Sequence, residues 1–194
     1  MPVDSESLEG QTLSDRFRLD RRLGRGGYGA VYEAEQLSVG RKCAVKILDP
    51  KAGTGENTAE RFRQEARATS RLTHPNSIVL YDFGRDEDLG VLWLAMELLE
   101  GETLKERLRR HRTFPVGRTL HVLRQIAESL QEAHDIGMVH RDMKPGNVML
   151  IERSSDPDFV KVIDFGIAKV LRETLSPLRD VTRTGTVLGT PKYM

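Results

Sequence analysis

Cysteine, charge of one sign and long apolar runs are scarce in this 194-residue chain, and each scarcity excludes a class of protein. The only cysteine, Cys43, cannot form an internal disulfide, and a single thiolate cannot build a cysteine-based zinc site. No apolar run approaches the roughly 20 residues that a membrane helix needs. The first ten residues are polar and acidic, so we expect no signal peptide.

The charges nearly cancel, since 30 Lys and Arg residues face 29 Asp and Glu residues and leave a formal net charge of +1. Bulk charge therefore gives no reason to expect a nucleic-acid or membrane-surface partner. Hydrophobic residues make up 38% of the chain and charged residues 30%, which is typical of a soluble chain that buries a core. We expect a cytoplasmic protein with one large domain or two small ones.

The hydrophobic pattern predicts a strand-rich first part and a helical second part. Residues 1–14 are polar and are expected to form a loose tail. Strands are predicted near residues 17–23, 30–35, 43–48, 78–83, 91–98, 148–151 and 159–163, and helices near 57–72, 103–110 and 118–136. The longest helix is expected to bury an apolar face made of Leu120, Leu123, Ile126, Ala127 and Leu130.

Four glycines lie between the first two predicted strands, at Gly24, Gly26, Gly27 and Gly29. Glycines allow backbone N–H groups to close over phosphate oxygens, although a tight hairpin turn explains the same spacing. A dinucleotide-binding fold is a further alternative, because Asp49 follows the last glycine by 20 residues. That fold requires a helix directly after the glycines, whereas VYEAE is predicted to be a strand, so this alternative is disfavoured.

Lys46 lies between Val45 and Ile47 in a predicted strand, so its side chain points to the opposite face from theirs. A solvent-facing lysine is the simplest interpretation. Glu65, 19 residues later on a predicted helix, could instead hold the ammonium group for contact with phosphate. Glu60 on the same helix is a competing partner that the spacing does not exclude.

The most specific pattern is HRDMKPGN at residues 140–147, followed by DFG at residues 164–166. With the glycine-rich stretch and the AVK strand in the same order, it resembles the eukaryotic-like (Hanks-type) bacterial serine/threonine protein kinases. The resemblance runs from Phe17 to Met194. It implies an α+β two-lobe kinase domain over residues 15–194, truncated before the APE motif, with ATP between the lobes. The five-stranded antiparallel N-lobe with one helix would span residues 15–97, and an incomplete, mainly helical C-lobe residues 98–194.

The resemblance also implies the roles of the polar residues in these motifs. Asp142 would orient the substrate hydroxyl and accept its proton, and Lys144, typical of serine/threonine kinases, would neutralise the transferring phosphate. Asn147 and Asp164 would supply oxygen ligands to Mg²⁺, a hard cation. Lys46, held by Glu65, would contact the inner phosphates of ATP.

The segment WLAMELLEG resembles the kinase hinge, in which Met96 would be the gatekeeper and Glu97 and Leu99 would contact adenine through their backbone. Val31, Ala44 and Met149 would enclose the adenine ring, and ordinary core packing is compatible with that role and accounts for most of their contribution to stability. The implied nucleotide-binding residues are Leu23, Gly24, Arg25, Gly26, Gly27, Gly29, Val31, Ala44, Lys46, Met96, Glu97, Leu99 and Met149.

The stretch VTRTGT is similar to the activation segment of bacterial kinases, which makes Thr182 and Thr184 candidate phosphorylation sites. The implied partners are protein substrates with Ser or Thr, and a second copy of the chain for autophosphorylation. The alternative is a catalytically incompetent, truncated fragment that acts as a nucleotide-binding or interaction module.

Overall fold

The structure is a computed structural model that describes residues 8–26, 29–48, 56–153 and 156–165, with the backbone alone for residues 56–58. These residues fall into two compact units. The described part of the first unit comprises residues 8–70 and 79–98, and that of the second comprises residues 71–78 and 99–165, with the gaps given above. The boundary that the sequence predicts between the two lobes, after residue 97, lies one residue before the division between the two units after Leu98. The sequence does not predict that residues 71–78 belong to the second unit.

The described part of the first unit contains an antiparallel sheet of six strands. They are β1 (Thr12–Leu13), β2 (Phe17–Gly26), β3 (Gly29–Gln36), β4 (Arg41–Leu48), β5 (Leu80–Asp86) and β6 (Val91–Met96). Their order in the sheet is β1-β2-β3-β4-β6-β5. Helix α1 (Glu56–Thr69) connects β4 to β5, and its Phe62 ring meets the Phe83 ring edge-on, with 6.4 Å between the centroids. The five predicted strands are therefore present as β2 to β6, and β1 is an additional one.

The two faces of this sheet differ in chemistry, because side chains alternate along each strand. One face forms an apolar core whose largest fully buried members include Phe17, Tyr32 and Trp93. The Phe17 and Trp93 rings pack edge to face, with centroids 5.1 Å apart. Cys43 is buried in the same core, and burial raises the pKa of its thiol to about 11. Burying this face turns the alternate residues of β3, β4 and β6 toward the opposite face.

Residues 8–14 pack against the sheet, so the expectation of a loose tail is wrong for the described part of the first 14 residues. Leu8 and Leu13 are 1% and 0% exposed, and β1 pairs with β2. The indole Nε1 of Trp93 donates a hydrogen bond to Ser14 Oγ at 3.1 Å. Two leucines separated by polar residues are too short a pattern to predict this packing from the sequence.

The described part of the second unit contains a three-stranded antiparallel sheet and two α-helices. Its elements are β7 (Gly101–Thr103), α2 (Leu104–His111), α3 (Val116–Asp135), a 3₁₀ turn (Pro145–Asn147), β8 (Val148–Arg153) and β9 (Asp156–Val162). The sheet order is β7-β8-β9. Thr103 and Glu106 form a reciprocal capping box that begins α2 at the predicted place. No helix in the described ranges is long and apolar enough to cross a membrane.

Helix α3 buries a different face from the one that its apolar residues predict. Leu120 and Leu123 are 61% and 54% exposed, and Ala127 is exposed as well. The buried residues of the helix are Val122, Gln125, Ser129 and Ala133. The prediction is wrong for Leu120, Leu123 and Ala127, whereas Ile126 and Leu130 are half-buried. The buried face of α3 contacts β9 and residues 73–77, whose polar groups need hydrogen-bond partners that leucine cannot supply.

Candidate active site

The segment from His140 to Asn147 connects α3 to β8 in the second unit and brings three of the predicted site residues together. Asp142 is 6% exposed, and Lys144 Nζ donates a hydrogen bond to its Oδ2 at 2.5 Å. Asn147 Nδ2 donates to the Asp142 backbone carbonyl at 2.8 Å and lies 3.3 Å from Oδ2. The carboxylate is therefore held from two sides, and the ammonium group compensates its negative charge in a nearly buried position.

The 3₁₀ turn sets the spacing of these residues. Asn147 N–H donates to the Lys144 carbonyl at 2.9 Å, which closes the turn around Pro145. A proline fits the first position of such a turn, since its missing N–H would have no partner there. Asn147 is 5% exposed and also accepts, through its backbone carbonyl, a 3.0 Å hydrogen bond from Ile163 N–H. The turn thus joins the predicted general base to the strand that leads to Asp164.

His140 provides a second connection between the two motifs, which the sequence interpretation did not assign. Its ring is 2% exposed, and burial lowers the pKa of the imidazole. Asp142 N–H donates to Nδ1 at 3.4 Å, so the neutral ring carries its proton on Nε2, which donates to the Ile163 carbonyl at 2.9 Å. The ring also packs against Phe165, with 4.8 Å between centroids. The signal was present in the HRD motif, in which the histidine precedes the catalytic aspartate by two residues.

Two residues of these motifs have a left-handed backbone. Arg141 and Asp164 both have φ near +63°, a region that is uncommon for residues other than glycine but is enriched in aspartate. A backbone conformation of this kind is unfavourable by itself and persists only where the surrounding contacts stabilise it. Here the flanking residues His140 and Ile163 hydrogen-bond to each other, which fixes the chain at both positions.

The donor set at Asn147 and Asp164 fits a hard divalent cation such as Mg²⁺. The amide nitrogen of Asn147 is used for Asp142, so its Oδ1 points away from that residue. Oδ1 is therefore the Asn147 atom that could bind a cation. Asp164 adds a half-buried carboxylate. One amide oxygen and one carboxylate, completed by water and phosphate, are the ligands that Mg²⁺ prefers.

In the first unit, four residues assigned to the nucleotide share the sheet face opposite the apolar core. Val31 on β3 pairs with Lys46 on β4, and Ala44 pairs with Met96 on β6. Directly paired residues point to the same side of a sheet, and residues two apart on one strand do so as well. Lys46 is only 8% exposed, so the solvent-facing alternative is wrong.

The glycine-rich stretch forms the hairpin between β2 and β3, with Gly26 paired to Gly29. Gly29 has φ of +138°, and a Cβ there would lie 2.0 Å from the Ile47 carbonyl oxygen, so only glycine fits. A Cβ at Gly24 or Gly26 would meet nothing within 4 Å. Gly29 is thus needed for strand pairing, whereas the role of Gly24 and Gly26 in phosphate binding stays a prediction. Gly27 lies outside the described residues.

The Lys46–Glu65 pair also stays a prediction. Glu65 is half-buried on α1, and Thr69 Oγ1 donates to its backbone carbonyl at 2.9 Å. The competing residue Glu60 lies 3.7 Å from Arg63 on the same helix.

The remaining predicted residues are distributed between the two units. Leu23 is 41% exposed on β2, where Arg25 is also exposed, and Met149 is half-buried on β8. Glu97 N–H donates to the Val79 carbonyl at 3.0 Å, so the predicted adenine contact of Glu97 would come from its carbonyl. Leu99 is half-buried and begins the main segment of the second unit. Thr182 and Thr184 lie outside the described residues.

Comparison with known proteins agrees with this arrangement of motifs. A family model described as the protein kinase domain matches residues 17–194. The serine/threonine-protein kinase pkn3 of Myxococcus xanthus is 42% identical over 191 residues, which covers 98% of this chain and 35% of the relative. PknA of Mycobacterium tuberculosis (strain ATCC 25618 / H37Rv) is 40% identical over 188 residues, covering 95% of this chain and 42% of the relative.

A solved structure, the Mycobacterium tuberculosis PknI kinase domain, matches with a TM-score of 0.71 and 29% identity, covering 82% of this chain and 62% of that one. This likeness confirms the predicted kinase-like α+β fold. The chain spans less than half the length of the two curated relatives. Since the family model matches most of the chain, and the HRD and DFG aspartates lie in connected segments of the second unit, the chain belongs to the protein kinase family.

Proposed function

We propose that this chain is the catalytic part of an ATP-dependent serine/threonine protein kinase. The observation that carries the proposal is the Lys144–Asp142–Asn147 arrangement, in which a nearly buried carboxylate is held by an ammonium group at 2.5 Å and by a side-chain amide. Phosphoryl transfer depends mainly on positioning and on neutralising negative charge, and this arrangement supplies both. The names of the relatives, which are serine/threonine-protein kinases, support the same proposal.

In the proposed reaction, Asp142 Oδ1 or Oδ2 accepts a hydrogen bond from the Ser or Thr hydroxyl of a protein substrate. The hydroxyl oxygen forms a bond to the γ-phosphorus while the bond between that phosphorus and the β,γ-bridging oxygen breaks. The hydroxyl proton passes to Asp142, and ADP leaves with the bridging oxygen. Lys144, already beside the carboxylate, neutralises the charge of the transferring phosphoryl group.

Asn147 Oδ1 and the Asp164 carboxylate would hold Mg²⁺, which when bound neutralises the phosphate oxygens of ATP. His140 contributes by fixing the Ile163 carbonyl, one residue before Asp164. In the first unit, Lys46 would contact the inner phosphates, and Val31, Ala44 and Met96 share its sheet face.

Protein substrates, autophosphorylation at Thr182 or Thr184, self-association and a cytoplasmic location follow from the same proposal. A phosphate on either threonine adds a charge of about −1.5 to −2, which an arginine can pair. Arg141, next to the general base, is exposed and has the right charge for that role.

The proposal is tested by the intact mass of the purified chain after incubation with ATP and Mg²⁺. We expect mass increments of one phosphoryl group in the wild type and in the control Asp88→Asn, which changes an exposed turn residue. We expect none in Asp142→Asn, which keeps the shape of the side chain but cannot accept the proton. Equal increments in all three proteins would overturn the assignment of Asp142.

The second candidate is a nucleotide-binding module without catalysis, and it is favoured by the nearly buried Lys46 that shares a sheet face with Val31 and Ala44. It predicts that ATP raises the melting temperature of the wild type without any mass increment. Mass increments that depend on Asp142 would exclude it.

A further inference from the structure

Among the described residues, no strand of the three-stranded sheet lies along the outer edge of β9. Side chains and a short chain segment pair its backbone groups instead. Gln125 Nε2 donates to the Asp158 carbonyl at 3.1 Å, and Val160 N–H donates to Gln125 Oε1 at 3.0 Å. Asn76 Nδ2 donates to the Val160 carbonyl at 2.7 Å. A primary amide that accepts one strand N–H and donates to a nearby carbonyl reproduces the pairing of a β-strand.

The segment around Asn76 continues this edge toward the active site. Val162 N–H donates to the Asn76 carbonyl at 2.7 Å, and Ile78 N–H donates to the Val162 carbonyl at 3.0 Å. Asn76 Nδ2 also donates to Gln125 Oε1 at 2.9 Å, so the two amides hold each other in place. Both side chains are 4% exposed.

Asp164 follows the last residue of β9 by two positions. Between them, Ile163 donates through its N–H to the Asn147 carbonyl and accepts through its carbonyl from His140. The outer-edge bonds at Val160 and Val162 and the inner bonds at Ile163 therefore all fix the chain just before Asp164. A strand that slipped by one residue would turn every side chain to the other face, Asp164 included.

We propose that Gln125 is a positioning residue for the metal: its amide fixes the register of β9 and so places the Asp164 carboxylate for Mg²⁺. The proposal rests on the proposed function, in which Asp164 is a Mg²⁺ ligand. Gln125 itself touches neither metal nor nucleotide and acts through β9.

The variant Gln125→Glu tests this role with almost no change in shape. A glutamate keeps an oxygen for Val160 N–H but places its second oxygen, without a hydrogen atom, against the Asp158 carbonyl. The matched control is Gln131→Glu, the same substitution on the same helix at an exposed site. Gln131 Nε2 donates to Asp135 Oδ1 at 2.7 Å, within the helix.

The measurement is the dissociation constant of ATP by calorimetry, with Mg²⁺ and with EDTA, for the wild type and both variants. In EDTA, we expect the dissociation constant of ATP for Gln125→Glu to stay within about twofold of the wild-type constant. The factor by which Mg²⁺ increases the affinity for ATP should be about tenfold smaller in the variant, which is the loss expected when a group that orients a metal ligand is removed. Gln131→Glu should match the wild type in both conditions. A general loss of packing would weaken ATP binding in both conditions equally, so the ratio of the two constants separates positioning from structural damage.

The outcomes are distinct. An unchanged ratio in Gln125→Glu overturns the positioning role and leaves the kinase proposal standing. A wild type that binds no ATP in either condition overturns both. If Gln125→Glu does not melt cooperatively, Gln125→Met takes its place, because methionine has similar length, no charge and no amide, and the same loss of the Mg²⁺-dependent gain is expected.

Discussion

The Glu132 carboxylate on α3 provides the most direct test of how residues 73–77 are held in the second unit. Its Oε1 accepts hydrogen bonds from Thr73 N–H at 2.7 Å, Thr73 Oγ1 at 2.9 Å and His74 N–H at 2.8 Å. Its Oε2 accepts from Ser77 Oγ at 3.2 Å. Replacing Glu132 with alanine removes all four acceptor contacts at once, whereas glutamine retains an oxygen for the first three.

The loss in Glu132→Ala follows from these contacts. A typical protein hydrogen bond contributes about 1 kcal/mol net to stability. In Glu132→Ala, the N–H and hydroxyl groups of Thr73 lie at an exposed position and form hydrogen bonds with water instead. The expected loss in the free energy of unfolding is therefore about 2–3 kcal/mol, less than four full hydrogen bonds would give. For a chain of this size, that loss corresponds to a fall of about 4–12 °C in the melting temperature.

The pH dependence gives the same reasoning a second test. Burial alone would raise the pKa of Glu132, but the hydrogen bonds from Thr73, His74 and Ser77 outweigh it and lower the pKa below the ordinary value of 4.5. The folded state therefore favours the ionised form, and the stabilisation is fully present above pH 4.5 and is lost as the pH falls through the lowered pKa. The gap in free energy of unfolding between the wild type and Glu132→Ala should narrow over that acidic range.

The assay is urea unfolding followed by circular dichroism at pH 7 and at several values below pH 4.5. The control is Glu128→Ala, which removes an exposed carboxylate of the same helix that lies 3.7 Å from Arg124. This exposed pair contributes at most about 0.5 kcal/mol. If Glu132→Ala were no less stable at pH 7 than Glu128→Ala, the carboxylate would not hold residues 73–77.

Two further changes test the packing of each unit by thermal melting. Gly29→Ala should destabilise the first unit by about 2 kcal/mol or more, because the added Cβ would overlap the Ile47 carbonyl on the next strand. The control Gly24→Ala should cost far less, since a Cβ there meets nothing within 4 Å. Equal melting temperatures for the two variants would refute the close approach at Gly29. Arg118→Lys should lower the free energy of unfolding by about 1–2 kcal/mol, because the planar guanidinium of Arg118 donates two 2.6 Å hydrogen bonds to Asp158. The control Arg124→Lys, at an exposed site, should change the stability little.

The strands of the first unit were predictable because one physical signal, alternation of apolar residues, determines both their local structure and their burial. The alternate residues of β4, Cys43, Val45 and Ile47, enter the apolar core, and Lys46 between them takes the other face. The strands β1 and β7 were not predictable, since they have two and three residues and carry no recognisable period. Their pairing depends on tertiary contacts.

The buried face of α3 was not predictable from apolar periodicity, and the reason is physical. Gln125 and Ser129 are buried because polar groups of β9 and of residues 73–77 need partners there, and hydropathy treats such residues as surface. In the candidate site, Asp142, Lys144 and Asn147 contact one another, while the roles that the motifs assign to them stay predictions. The roles of His140 and Gln125 were missed because they act through the backbone of β9 and Ile163, which a sequence pattern does not reveal.

The candidate site residues of the two units lie in different surroundings, and this affects which mutations each unit tolerates. In the first unit, Lys46 is placed by the apolar packing of its strand neighbours, and volume-conserving apolar changes in a core usually cost little. In the second unit, the chain at Asp142 and before Asp164 is placed by directed hydrogen bonds. Asn147 donates to the Asp142 carbonyl and His140 to the Ile163 carbonyl, and Gln125 accepts from Val160 N–H. A hydrogen bond tolerates neither the loss of a donor nor a change of charge, since the remaining buried partner is left unsatisfied. Substitutions of equal size but altered polarity should therefore damage the second unit more than the first.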